Sequence, residues 1–306
     1  MQPIRGILLK IASVSVFIVM ASLIKASSAE VPPGEAVFFR SVFAIPIIFI
    51  WLAIRGDLRD GVKTQNPMSH VWRGLVGTAA MGLGFAGLGM LPLPEVTAIG
   101  YAAPLLVVVL AAMFLGEEVR AFRLSAVGLG LVGVLIVLSP RLTMIGEDVD
   151  VRQTLGAILV LGSAFSAALA QVFVRKMVQT ERTAAIVLYF SITASVLSLF
   201  TIPYGWVIPS NTVLTMLICA GLLGGVGQIL LTSAYRFADV SVIAPFEYTS
   251  MLLALIIGFL VFDEVPTLTM LGGASLVILA GVLIIWRERK LGLEREKQRR
   301  AMTPGG

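Results

Sequence analysis

Residues 241–264 read SVIAPFEYTSMLLALIIGFLVFDE. The run is long and apolar enough to cross a bilayer, yet Glu247 and Pro245 lie inside it. A carboxylate in hydrocarbon costs about 3 kcal/mol on insertion scales, so Glu247 requires a water-filled cavity or a partner. Pro245 removes one backbone hydrogen bond and frees the carbonyl four residues earlier, which also needs a polar neighbour or water. Tyr248, Thr249 and Ser250 follow directly. The expectation is a helix that lines a solute pathway, with the other helices arranged to build and close it.

The rest of the chain has the same character. Of its 306 residues 58% are hydrophobic and 13% charged, far outside the soluble range. Ten apolar segments stand out, at 6–24, 36–54, 71–91, 95–115, 121–139, 154–174, 183–203, 211–233, 241–262 and 267–286. Each reaches across about 30 Å of hydrocarbon at helical rise. No alternation of period two supports a β-barrel. The first segment follows Arg5 as a signal peptide would, but it is long for one and has a counterpart in the second half, so it is expected to be retained. Cys219 is the single cysteine and lies in an apolar run, and the single histidine, His70, falls in a charged connection. Neither a disulfide framework, a thiolate metal site nor a cofactor site is expected.

Lysine and arginine set the orientation. With the amino terminus inside, eighteen fall on the cytoplasmic side and three (Lys25, Arg141 and Arg152) on the other; Lys10 and Arg40 lie within segments. Both termini are therefore expected in the cytoplasm, in a bacterial inner membrane. The net charge of +5 is then a topology signal and no sign of nucleic-acid binding. The tail at 287–300, RERKLGLEREKQRR, reads as a solvated juxtamembrane anchor, since three glutamates dilute its charge.

The two halves repeat. Gly6, Ser13 and Lys25 recur in order as Gly156, Ser163 and Arg175, and Gly77 and Ile99 as Gly221 and Ile243. Glu118-Val119 recur as Glu264-Val265, and GVLI at 133–136 recurs at 281–284. Five spans per half is an odd number, so the halves must be inverted, an arrangement that suits alternating access to a site at the midplane. The expected fold is an all-α polytopic membrane protein of ten transmembrane helices in two inverted five-helix repeats. The expected division is a first repeat at 1–140, a linker at 141–150, a second repeat at 151–286 and a basic tail at 287–306.

Three stretches carry a family resemblance: RGLVG at 73–77, LPLPEVTAIGYAAPLLVVVLAAMFLGEEV at 91–119, and QILLTSAYRFADVSVIAPFEYTSMLLALIIGFLVFDEVP at 228–266. Through them the chain resembles the drug/metabolite transporter superfamily, specifically its ten-helix EamA-like members. The resemblance implies a central cavity lined by helices 1, 3, 4, 6, 8 and 9, with 5 and 10 packed at the back. The last stretch is similar to the branch that includes bacterial riboflavin and S-adenosylmethionine transporters. That implies uptake of such a solute, riboflavin first, with S-adenosylmethionine uptake or metabolite export as alternatives.

Candidate site residues follow from polarity inside the spans. Lys10 and Glu247 enter from the same side at similar depth, so they can pair as a gate or a proton-linked site; alternatively, Lys10 snorkels and Glu247 bonds the freed backbone. Arg40 either attracts an anionic solute or turns outward to Glu35. Tyr101 and Pro104 occupy the inverted counterpart of the Pro245–Tyr248 region and are expected near the opposite mouth, which gives one constriction per end. The two tyrosines suit a ring-bearing solute or serve as interfacial anchors. Gln171 and Gln228 either line the cavity or bond between helices. Glu117-Glu118 and Asp263-Glu264 read as helix-end acids that suit the helix dipole.

The expected partners are a small-molecule substrate and the bilayer, with a homodimer through helices 5 and 10 as a further option. An enzyme acting on lipid-linked substrates would need clustered acids or a nucleophile–base pair on one face, and the acids here are split between faces. A non-transporting membrane subunit is the other alternative.

Overall fold

The computed structural model describes residues 3–115, 121–142, 151–177, 180–237 and 244–302. All regular structure among them is helical: α1 (Pro3–Ser27), α2 (Pro33–Val42), α3 (Ala44–Ile54), α4 (Pro67–Leu88), α5 (Leu93–Gly100), α6 (Ala102–Leu115), α7 (Ala121–Leu142), α8 (Val151–Met177), α9 (Thr183–Leu199), α10 (Asn211–Phe237), α11 (Thr249–Phe262) and α12 (Leu268–Met302). Short 3₁₀ turns cover Ile202–Tyr204 and Ala244–Tyr248. Glu117-Glu118 and 143–150 of the linker lie outside the described residues.

Seven described runs are long and apolar enough to span a membrane, and three shorter ones at Leu124–Pro140, Thr183–Leu199 and Phe246–Phe262 fill the remaining places of the ten. Two expected spans are each broken into two helices, and proline explains both breaks. Pro46 has no N–H for the carbonyl of Val42, where α2 ends, and Pro104 has none for Gly100, where α5 ends. Phe43 and Tyr101 are the hinge residues.

The pairing of spans shows the inverted repeat. α1 packs on α10 and α4 on α8, and the two pairs exchange when the halves are exchanged. α5 packs on α11, α2 on α9 and α7 on α12, each pair mapping to itself. Between α7 and α12 the backbones meet. A Cβ on Gly133 would lie 2.8 Å from the Gly273 carbonyl oxygen, and one on Gly273 would lie 2.7 Å from that of Gly133. Small residues permit this approach, which van der Waals packing then stabilises in lipid. Of the seven longer spans the fourth is the most enclosed, with two-thirds of its residues buried against about a third for the others.

The start of α4 differs from the expected one. The side chain of Asn66 accepts from Ser69 N at 3.4 Å, and Pro67 opens the helix with a fixed φ and no orphan N–H. The helix therefore begins four residues early and draws in His70, expected in a charged connection, while Arg73, at the cytoplasmic end of the expected 71–91 segment, becomes buried inside the helix. His70 is buried against Tyr189, with ring centroids 4.7 Å apart, and its Nε2 lies 3.4 Å from Glu181 Oε2.

Candidate functional site

The fourth span, at its break, crosses the ninth at the 3₁₀ turn that opens α11. Tyr101, at the hinge between α5 and α6, meets Tyr248, the last residue of the 3₁₀ turn before α11. Their rings pack edge to face with centroids 5.0 Å apart. Tyr101 Oη lies 2.6 Å from Ser250 Oγ, and that hydroxyl donates to the Glu247 carbonyl at 2.6 Å. The expectation that these tyrosines sit at opposite mouths is corrected by this contact. Tyr101 is the seventh residue of the expected 95–115 span and Tyr248 the eighth of 241–262, so their contact places both away from the mouths. Pro104 is half-buried beside the hinge that it causes. Pro245 is placed in the 3₁₀ turn by its backbone, and its side chain lies outside the described residues. Tyr248 reaches α12 at Gly281, whose missing Cβ leaves the space its hydroxyl fills.

Below this crossing Lys10 Nζ donates to Glu247 Oε2. The two ends differ: the Lys10 side chain is 3% exposed and that of Glu247 43%. Beside them, Ser13 Oγ donates to the Gly227 carbonyl at 2.9 Å and ties α1 to α10.

A second ion pair joins the first and ninth spans at the other end, Lys25 Nζ to Glu264 Oε1 at 2.9 Å. It sits at the α4–α5 turn and satisfies both helix ends there. Lys25 donates to the carbonyls of Leu88 and Leu91 at 3.3 and 2.6 Å, while Glu264 Oε2 accepts from Leu93 N at 2.8 Å. Asp263, in the left-handed region with φ 53°, turns the chain so that Glu264 faces inward. Glu264 is thus a capping acid, though it caps α5 and not the helix that follows it. A cleft of about 410 Å³ opens beside this pair, bounded by Ile24, Ser28, Ala36, Phe85, Met90 and Arg152.

Arg40 does not turn outward to Glu35. Five residues apart on a helix are on different faces, and Glu35 accepts instead from Val207 N at 3.1 Å. Arg40 is buried, with its guanidinium carbon 5.6 Å from the centroid of Phe190. Arg73 approaches the same ring, at 4.2 Å. Arg73 went unnoticed as a site residue. The available signal was Gly77 four residues on, which clears the helix face along which Arg73 folds. Gln171 is exposed and Gln228 half-buried, and among the described residues neither carboxamide is hydrogen-bonded to the tyrosines.

Ten membrane spans in two inverted repeats, broken where they cross and with polar side chains gathered there, define the class of helical membrane transporters. Within that class the chain belongs to the EamA-like transporter family, whose sequence pattern matches residues 4–139 and again 154–287. It is 28% identical to the S-adenosylmethionine uptake transporter of Rickettsia bellii over 256 residues, 84% of each chain. It is 28% identical to the pseudopaline exporter CntI of Pseudomonas aeruginosa over 285 residues, 91% of this chain and 95% of that one. A riboflavin transporter of Rhizobium johnstonii is 26% identical over 260 residues, 85% of this chain and 83% of the relative. One crystal structure of another protein superposes with a TM-score of 0.68 at 18% identity, over 94% of this chain and 98% of that one, and shares the fold.

Proposed function

We propose that the protein is an inner-membrane secondary transporter that moves a small organic metabolite by alternating access, with both termini in the cytoplasm. The observation that carries this reading is the crossing of the fourth and ninth spans. There Tyr101, Tyr248 and Ser250 line one spot, with an ion pair between the first and ninth spans on either side of it. In an alternating-access cycle Lys10–Glu247 and Lys25–Glu264 act as the gates, and the repeats 1–140 and 151–286 rock against each other. The same reading allows a homodimer through the outward faces of α7 and α12, where Val132, Leu135, Leu279 and Val282 are exposed.

The edge-to-face tyrosines suit a planar ring, which both riboflavin and S-adenosylmethionine carry. Relatives named for each of these support testing both. Energy comes from the solute gradient or a coupled ion, because the chain holds no nucleotide-binding loop. The test is growth of a riboflavin-auxotrophic bacterium on limiting riboflavin, alongside uptake of labelled S-adenosylmethionine into cells that express the protein. Wild type, Glu247→Gln and an empty vector run in parallel. Rescue or uptake by wild type and its loss in Glu247→Gln is the expected result. No flux of either solute, with the protein shown in the membrane, removes both substrates from the reading.

A further inference from the structure

Two arginines converge inside the membrane with no countercharge. Arg40 is 5% exposed and Arg73 8%, and both face Phe190, at 5.6 and 4.2 Å from the ring centroid. Their guanidinium groups therefore lie within about 10 Å of each other. Arg40 Nε and Arg73 Nε and Nη1 are buried without a hydrogen-bond partner.

Among the described residues neither arginine has an ion-pair partner, and four of the buried or half-buried acids are engaged elsewhere: Glu35 with Val207, Glu181 with the 64–66 turn, Glu247 with Lys10 and Glu264 with Lys25. Leaving a buried cation unpaired is strongly destabilising, and two like cations together more so. Such an arrangement is retained when a ligand completes it.

The space around the pair is built. Arg73 folds into the gap left by Gly77, where a Cβ would also lie 2.8 Å from Phe190 Cε2. A Cβ on Gly224 would lie 2.9 Å from Arg40 Nε and 3.2 Å from Met20 Sδ. Met20 fixes the depth. It is ten residues along α1 from Lys10 and five from Lys25, so Arg40 lies between the two ion pairs, about 15 and 7 Å along the helix from each.

We propose that Arg40 and Arg73 form a carboxylate-binding subsite for the transported solute, with the Phe190 ring against both cations. A planar guanidinium presents paired N–H donors that match the two oxygens of a carboxylate, and two such forks beside an apolar ring recognise a carboxylate on a partly apolar molecule. The inference rests on the transport reading for its role and narrows the solute to an organic carboxylate.

The experiment is thermal unfolding of the purified full-length protein in lipid nanodiscs with pairs of probes. Each pair is a carboxylate and its carboxamide: S-adenosylmethionine, methionine and glutamate. Riboflavin and inorganic phosphate are added as single probes. Wild type should prefer at least one carboxylate over its amide by about tenfold or more in apparent Kd, and Arg40→Gln or Arg73→Gln should bring that ratio close to one. Arg59→Gln, at an exposed loop position, should keep the wild-type ratio. If the glutamine variants do not fold, Arg40→Lys and Arg73→Lys carry the test, because lysine keeps the charge and loses the fork; an unchanged ratio in them overturns the proposal.

It is also overturned if no carboxylate protects wild type, if phosphate protects as well as the best carboxylate, or if the glutamine variants keep the wild-type ratio. Liposome flux separates the two levels. Riboflavin flux without any carboxylate preference would refute this subsite and leave the transporter. A carboxylate preference lost in the variants, without flux of any probe, would keep the subsite and refute transport of these solutes.

Discussion

The Lys10–Glu247 pair is asymmetric, and its two halves should respond differently to removal. Glu247→Gln keeps the shape and deletes the charge, so Lys10 loses its carboxylate partner at a site where its side chain is 3% exposed. Breaking a fully buried pair costs about 3–5 kcal/mol. Here the glutamine oxygen still accepts a hydrogen bond and the Glu247 side chain is 43% exposed, which lowers the expected loss to about 1–3 kcal/mol. Lys10→Met removes the other partner and leaves a carboxylate that water already reaches. That loss should stay below about 1 kcal/mol, as for exposed ion pairs, and the methionine chain replaces the apolar stem. The difference corresponds to about tenfold in the folded-to-unfolded ratio. Equilibrium unfolding in mixed micelles at neutral pH measures it, with the double variant closing the cycle. A Lys10→Met protein as unstable as Glu247→Gln, or more so, would show that the cation is not the dependent partner and would refute the reasoning.

Gly281→Ala places a methyl group where the Tyr248 hydroxyl sits, and should cost about 1–3 kcal/mol in the same assay. Gly272→Ala in the same helix meets open space and should be neutral or stabilising; equal effects from the two would remove the packing argument. Burial pushes the Glu181 carboxyl up, but donors from Asn66 N, Gln65 N, Thr64 Oγ1 and His70 together outweigh it and hold the group below its ordinary 4.5. A depressed carboxylate contributes stability above its unfolded pKa and loses it as pH falls through the folded one. Glu181→Gln should therefore destabilise the protein by about 1–3 kcal/mol at pH 7, and the gap to wild type should narrow as pH falls below 4.5. A gap in melting temperature that stays constant as pH falls through the acid range below 4.5 would contradict this.

Much of the fold was legible because insertion is local. Each span is read from its own 20 or so residues, and hydropathy, length and flanking arginines need no knowledge of a partner. The repeat was visible in matches such as GVLI at 133–136 and 281–284. The helix breaks were half-legible. Pro104 and Pro245 announced freed carbonyls, but the depth of each hinge, and so the meeting of Tyr101 with Tyr248, depends on how two spans tilt against each other. Pro46 carried the same signal and was missed inside an otherwise smooth apolar run. His70 was placed in a connection because the start of α4 was set by hydropathy alone, when Asn66 and Pro67 begin the helix four residues earlier, and Arg73 was counted only as a charge at the cytoplasmic end of that span.

By itself the sequence determined the class of the protein, its ten crossings, its inverted halves and the rarity of its buried charges, since each follows from the price of a residue in hydrocarbon. Only the tertiary structure decided which charges answer one another. Lys10 meets Glu247 across 237 residues, Tyr101 meets Ser250 across 149, and Arg40 is left with Arg73 and Phe190 instead of Glu35. Side-chain reach is a few ångströms, so partners are fixed by which helices pack, and that packing is set by small residues such as Gly77, Gly133, Gly224 and Gly273, whose contacts no local pattern reveals.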